Sequence, residues 1–143
     1  MAAKVSRLEG VVSAVDSLGG FAEVQVGSGS LRLAFRELTA GSQVRVQLLA
    51  RDVILATQEI GGLSVRNALA GRIAAIAPDQ EDAVLVQVDV GGPMVLARIT
   101  RAALTSLRLH IGQPVWALVK AVSLRGHAFR APRNPERPSR SPS

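Results

Sequence analysis

Three stretches of this chain carry hydrogen-bond donors with no carboxylate among them. Ser64-Val65-Arg66-Asn67 combines a hydroxyl, a guanidinium and loop backbone N–H groups. Thr100 puts a hydroxyl at the expected start of a helix, where unpaired N–H groups converge. Lys120 ends the apolar run Val115-Trp116-Ala117-Leu118-Val119, and Lys4 is the only other lysine. A small tetrahedral oxyanion presents only acceptors, so its site must be built from such groups. Backbone nests and helix ends supply neutral donors. Arginine adds a planar fork and lysine a point charge. Each stretch also has a plainer reading: Ser64 and Arg66 as polar loop residues, Thr100 as a helix cap, Lys120 as a side chain snorkelling at a strand end. Residue types and spacing alone leave both open.

Other chemistries find less support. The absence of Cys excludes disulfides, thiolate metal sites and Cys nucleophiles. His110 and His127 stand in unlike settings with no positioned nucleophile nearby. Asp79, Glu81 and Asp82 read as a solvated loop rather than a cation site. Neither lysine lies in a Gly-x-x-x-x-Gly-Lys-Ser/Thr context, so this stretch contains no P-loop and is not expected to be an enzyme. The start, Met1-Ala2-Ala3-Lys4, runs on without an apolar stretch of signal length, and no run is long enough to span a membrane. The expected setting is therefore cytoplasmic, without direct membrane insertion.

The formal net charge is +6. Part of it lies in residues 129–143, where Arg130, Arg133, Arg137 and Arg140 face one acid, Glu136, among four prolines. That composition reads as a disordered, solvated tail. From Arg130 to Ser143 no aromatic is interleaved to stack on bases, which disfavours a nucleic-acid arm.

An internal repeat sets the architecture. Leu8-Glu9-Gly10-Val11-Val12 is matched by Leu69-Ala70-Gly71-Arg72-Ile73, and Leu38-Thr39-Ala40-Gly41 by Leu109-His110-Ile111-Gly112. The offset grows from 61 at Gly10/Gly71 to 71 at Gly41/Gly112, so the second half holds about ten extra residues, mostly expected from Thr100 to Leu107. Val84-Val86-Val88-Val90, Val44-Val46-Leu48 and Leu31-Leu33-Phe35 alternate with other residues at period two, which argues for half-buried strands. Leu18-Gly19-Gly20, Gly27-Ser28-Gly29-Ser30 and Gly91-Gly92-Pro93 punctuate them as turns. The expected fold is all-β: two tandem, five-stranded Greek-key barrels of OB type, with a short helix in the second, capped by Thr100. The first barrel is expected over residues 1–60, the second over 61–128, and the tail over 129–143.

The segment Ser64-Val65-Arg66-Asn67-Ala68-Leu69-Ala70-Gly71 resembles the Ser-Ala-Arg-Asn-x-Leu-x-Gly signature of molbindins, the Mop or TOBE-type molybdate-binding domains. Ala117-Leu118-Val119-Lys120-Ala121-Val122-Ser123-Leu124 is similar to their closing strands. In the first half, Arg51-Asp52-Val53-Ile54-Leu55-Ala56 looks like the regulatory part of molybdate-transporter ATP-binding subunits. The resemblance implies a pair of OB-like barrels that dimerises and holds molybdate or tungstate, with no organic cofactor, at or near an interface between barrels. Ser64 and Arg66 would donate from one subunit, Thr100 and Lys120 from the facing one, and backbone N–H groups around Val65 and Ala121 would complete the shell. The implied role is feedback sensing in a molybdate transporter, partnered by its ATP-binding and membrane subunits, or binding by a related intracellular protein.

Departures point to a degenerate first barrel. It has no Ser-x-Arg-Asn before Leu8, and Arg51 stands where Lys120 stands in the second half. Ala103 occupies a position where some family members carry a second hydroxyl. An OB-type nucleic-acid module, favoured by charge but not by aromatic content, and a dimerisation module with a decayed site are the alternatives.

Overall fold

The computed structural model describes residues 4–16, 18, 20–34, 39–65, 67–120 and 125–128. Within them the strands are β1 (Val5–Asp16), β2 (Phe21–Val26), β3 (Gly29–Ala34), β4 (Gln43–Leu49), β5 (Ile54–Ala56), β6 (Asn67–Pro78), β7 (Ala83–Asp89), β8 (Met94–Thr100), β9 (Pro114–Val119) and β10 (Arg125–Ala128). A 3-10 turn, Ala50–Asp52, separates β4 from β5, and helix α1 (Arg101–Ser106) follows β8. The alternation read in the sequence is the alternation of burial. Val44, Val46 and Leu48 of β4 face inward, as do Val84, Val86 and Val88 of β7.

The strands form two antiparallel sheets, β10-β4-β1-β2-β3 and β5-β9-β6-β7-β8. With the last strand of each sheet counted fifth, both have the order 5-4-1-2-3, the succession of a five-stranded OB-like barrel. The protein is thus all-β, with two tandem OB-like units and, among the described residues, one short helix, in the second. The cores correspond position by position: Leu8 with Leu69, Val12 with Ile73, Val24 with Val88, Leu48 with Val119. Aliphatic side chains fill them, and Trp116 lies on the outer face, half-buried. Gly10 and Gly71 are required at equivalent places, because a Cβ would collide with the carbonyl of Gln25 or of Asp89 on the next strand.

The sheets do not divide at residue 60. β5 belongs to the first half in sequence but pairs with β9, Ile54 opposite Leu118 and Ala56 opposite Trp116. β10, from the second half, pairs with β4, Arg125 opposite Gln47 and Ala128 opposite Val44. Each half therefore gives its last strand to the other sheet. The reason the sequence conceals this is physical: Val53-Ile54-Leu55-Ala56 is short and apolar on both faces, so its pattern fixes a strand without fixing the partner.

The register also locates the extra residues. The offset between equivalent positions is 61 at Gly10/Gly71, 64 at Val24/Val88 and 71 at Leu48/Val119. Three extra residues thus enter the β6–β7 connection, and seven enter between β8 and β9, where α1 sits. The β6–β7 turn is tied to β8 by the Arg98 Nε–Asp79 Oδ2 ion pair at 2.8 Å, which with the Gln80 N–H holds the Asp79 carboxyl below its ordinary range. Asp89 is likewise lowered, by accepting from the backbone N–H groups of Gly92 and Gly91 in the β7–β8 turn. The tail expected over 129–143 lies outside the described residues.

Because each half lacks a strand without the other, residues 1–60 and 61–143 produced separately are each expected to show no cooperative thermal transition, and an equimolar mixture is expected to regain one. Circular dichroism melts of the two pieces and their mixture check this; a cooperative melt of 61–143 alone, near that of the whole chain, would contradict it.

Candidate functional site

The donor-bearing segment of the second half enters at one end of its sheet. The β6–β9 ladder begins with Asn67 opposite Val119. Ser64 and Val65 approach that end from the linker, and Lys120 leaves from it, one residue past Val119. Ser64 and Lys120 are exposed and Val65 is half-buried. Arg66 and Ala121, the other two candidates at this end, lie outside the described residues. Ser64, Val65 and Lys120 are therefore brought to one end of one sheet, from segments more than fifty residues apart in sequence.

The same end of the first sheet carries a basic side chain, Lys4, which is exposed. Its ladder pairs Ser6 with Leu48, the counterpart of Asn67 with Val119. Counting outward, Leu49 takes the place of Lys120, Val5 that of Arg66 and Lys4 that of Val65. The expectation that Arg51 matches Lys120 is corrected by this register: Arg51 lies two residues further on, in the 3-10 turn. Similarity of basic side chains suggested the match, but the ladder counts residues, not charges. Apolar side chains thus stand at the counterparts of the guanidinium and of Lys120, and the ammonium at this end, that of Lys4, comes from the opposite segment.

Thr100 lies at the opposite end of the second sheet. It pairs with Ala83 at the start of β7, while Asn67 lies at the far end of the twelve-residue strand β6. Its Oγ1 accepts from the Ala103 N–H at 3.0 Å, so it caps α1 as the sequence indicates. The Arg101 N–H donates to the Asp82 carbonyl at 2.6 Å, which uses another donor of that helix start. The open cleft beside Thr100 is lined by Glu81, Asp82, Ala83, Arg98 and Ile99. Two carboxylates on its rim oppose a dianion. Within one chain, then, the structure does not bring Thr100 to Ser64 and Lys120.

One buried polar side chain at the donor end has a partner in the other sheet. Asn67 is 2% exposed. Its Oδ1 accepts from the Arg32 N–H and its Nδ2 donates to the Arg32 carbonyl, both at 2.8 Å. Arg32 lies on β3, the edge strand of the first sheet. The counterpart on the other side is Ser6, 4% exposed, whose Oγ accepts from the Leu96 N–H on the edge strand β8 at 2.8 Å. A neutral hydrogen bond contributes about 1 kcal/mol net, and a backbone group left buried without a partner costs about 1–3 kcal/mol. Sequence reasoning quoted Asn67 within its motif and gave it no task, and it passed over Ser6. The repeat offset of 61 relates the two and was the available signal.

Two tandem OB-like barrels, with donor-bearing segments converging at one end of the second, define the class. Residues 63–125 match the family model of the TOBE domain. Over a longer stretch the chain is similar to the molybdenum import ATP-binding protein ModC of Rhizobium etli, 39% identical over 83% of this chain and 34% of that protein. It is similar also to ModC of Mesorhizobium japonicum, 41% identical over 76% of this chain and 29% of that one, and of Methylococcus capsulatus, 40% identical over 82% and 33%. The chain spans about a third of the length of these relatives. Among solved structures, the cytoplasmic molybdate-binding protein ModG, crystallised with molybdate bound, superposes with a TM-score of 0.78 over 90% of this chain and 99% of that one. Its identity is 24%, so this likeness shows the fold.

Proposed function

We propose that this chain binds a small tetrahedral oxyanion, molybdate or tungstate, at the donor-rich end of its second sheet. It would do so as the regulatory part of a molybdate-transporter ATP-binding subunit, or as a related molybdate-binding protein. The observation that carries this is the convergence of Ser64, Val65 and Lys120 on the Asn67–Val119 end of the ladder, set against an equivalent end where Lys4 is accompanied by Val5 and Leu49. Arg66 follows Val65 and Ala121 follows Lys120, so both belong to the proposed shell. Arg66 supplies the fork and Lys120 the point charge that a dianion needs, while Ser64 and the backbone N–H groups of Val65 and Ala121 satisfy the remaining oxygens. The relatives are import ATP-binding proteins for molybdenum, which supports this choice of ligand. It supports equally a setting beside the other subunits of such a transporter, on the cytoplasmic side.

A second copy of the chain fits the reading. The outer face of the second sheet places exposed Ile54, Ala68 and Ala70 beside half-buried Trp116. An apolar patch of this kind favours self-association. In a homodimer, Thr100 of the facing copy can approach the donor end; its oxygen is used by Ala103 N–H but its hydroxyl proton remains free to donate. Ligand held between copies would tighten the dimer by linkage and, in a transporter, would favour one arrangement of the ATP-binding subunits.

Calorimetric titration with molybdate, with sulfate as the comparison, tests the site. Arg66→Ala and Lys120→Ala are each expected to weaken molybdate binding at least about thirtyfold, equivalent to about 2 kcal/mol. Arg51→Ala, at a position with no part in the site, is expected to leave it unchanged. Absence of saturable binding by the unaltered chain would sink the proposal. For the dimer, sedimentation velocity is expected to show Ile54→Glu as a monomer at concentrations where the unaltered chain is dimeric; a monomeric unaltered chain would remove that element.

A further inference from the structure

We infer that Asn67 is a positioning residue for the oxyanion segment and that β3 of the first barrel is the support it acts through; this rests on the binding reading above. Three observations converge. Asn67 is pinned on two sides: its backbone is in the ladder opposite Val119, and its side-chain amide clasps the edge of β3. The clasp is two-ended. In an antiparallel pair, a residue's N–H and C=O point to the same side. Arg32 pairs with Glu23 of β2, yet both of its backbone groups meet Asn67. The amide thus stands in for one residue of a missing neighbouring strand. Finally, the proposed donors flank this pinned pair directly: Val65 and Arg66 precede Asn67, and Lys120 and Ala121 follow Val119.

A cradle for a small dianion gains affinity when its donors are fixed before the ligand arrives. The β6–β9 pairing begins at Asn67, so Val65, two residues earlier, lies outside the ladder. The first rung of that ladder is held to the first barrel through Asn67. A degenerate first barrel is then retained for a reason: it presents the edge that holds the second barrel's site in shape. Ser6 provides an internal comparison. It occupies the equivalent position and caps the equivalent edge, at Leu96, but with one bond in place of two and with Lys4, Val5 and Leu49 beside it.

The experiment compares Asn67→Ala with Ser6→Ala in the whole chain, by molybdate titration and by amide hydrogen exchange. In the unaltered chain the Arg32 amide is expected to be protected, and Asn67→Ala is expected to remove that protection. Asn67→Ala is expected to weaken molybdate binding about tenfold, because the competent arrangement of the segment falls to a minor population. Ser6→Ala is expected to lower the melting temperature while leaving affinity within about twofold. Asn67→Ser, which copies an arrangement this fold already accommodates at the equivalent position, is expected to stay folded and still bind more weakly, and serves where the alanine variant does not fold. Unchanged affinity in the folded Asn67 variants, or an equal loss in Ser6→Ala, overturns the positioning role. An unaltered chain that fails to bind molybdate overturns the binding reading and the positioning role with it, while the Arg32 exchange result still reports separately on the clasp.

Discussion

Neither sheet of this protein is complete without a strand from the other half of the chain. β5 leaves the first half to pair with β9, and β10 returns from the second half to pair with β4. An unpaired edge of a sheet is a row of unsatisfied backbone groups, and proteins cover or pair it. Here the exchange covers β4 and β9, with β10 and β5 as the outer strands on that side. The opposite edges, β3 and β8, are each met by a polar side chain at the start of the other barrel's first strand, Asn67 and Ser6. The turns between β2 and β3 and between β7 and β8 also interlock, with the Ser28 N–H and Oγ both donating to the Val90 carbonyl. The aliphatic side chains of both sheets form one continuous core, which offsets the small size of either half.

That mutual dependence explains how one half can lose its chemistry and still be kept. At the site-equivalent end of the first sheet, Val5 and Leu49 occupy the counterparts of Arg66 and Lys120, with Lys4 beside them. Ten of its core positions, from Leu8 to Leu48, nevertheless have buried aliphatic counterparts in the second sheet, and Gly10 admits the next strand as Gly71 does. In the proposed reading one barrel presents donors and the other fixes where they stand.

Much of this was legible in the sequence, and the illegible parts share one cause. Period-two alternation in β4 and β7 gave strands because each strand has one dry face. The repeat gave two units, and Thr100 gave the start of α1 because a β-region residue with a hydroxyl satisfies an orphan N–H. The Ser64 to Asn67 motif pointed to one end of the second sheet, and Lys120 arrives there. The partner of β5 was not legible, because four apolar residues carry no face preference. Nor was the placement of Thr100 at the far end of the sheet, since that depends on register rather than on residue type. The matching of Arg51 to Lys120 failed likewise: charge suggested it, and the ladder places Leu49 there. Long-range pairing decided each of these, and local pattern does not encode it.

The central claim is that the second barrel alone carries the oxyanion, at the end where β6 begins and β9 finishes. The most direct test is a crystal of this chain grown with tungstate, with the tungsten located by its anomalous scattering. The expected result is density beside Ser64, Arg66 and Lys120, with none at the equivalent end of the first sheet beside Lys4 and Leu49. Density only at the first sheet's end, or only in the cleft lined by Glu81, Asp82 and Arg98, would contradict it.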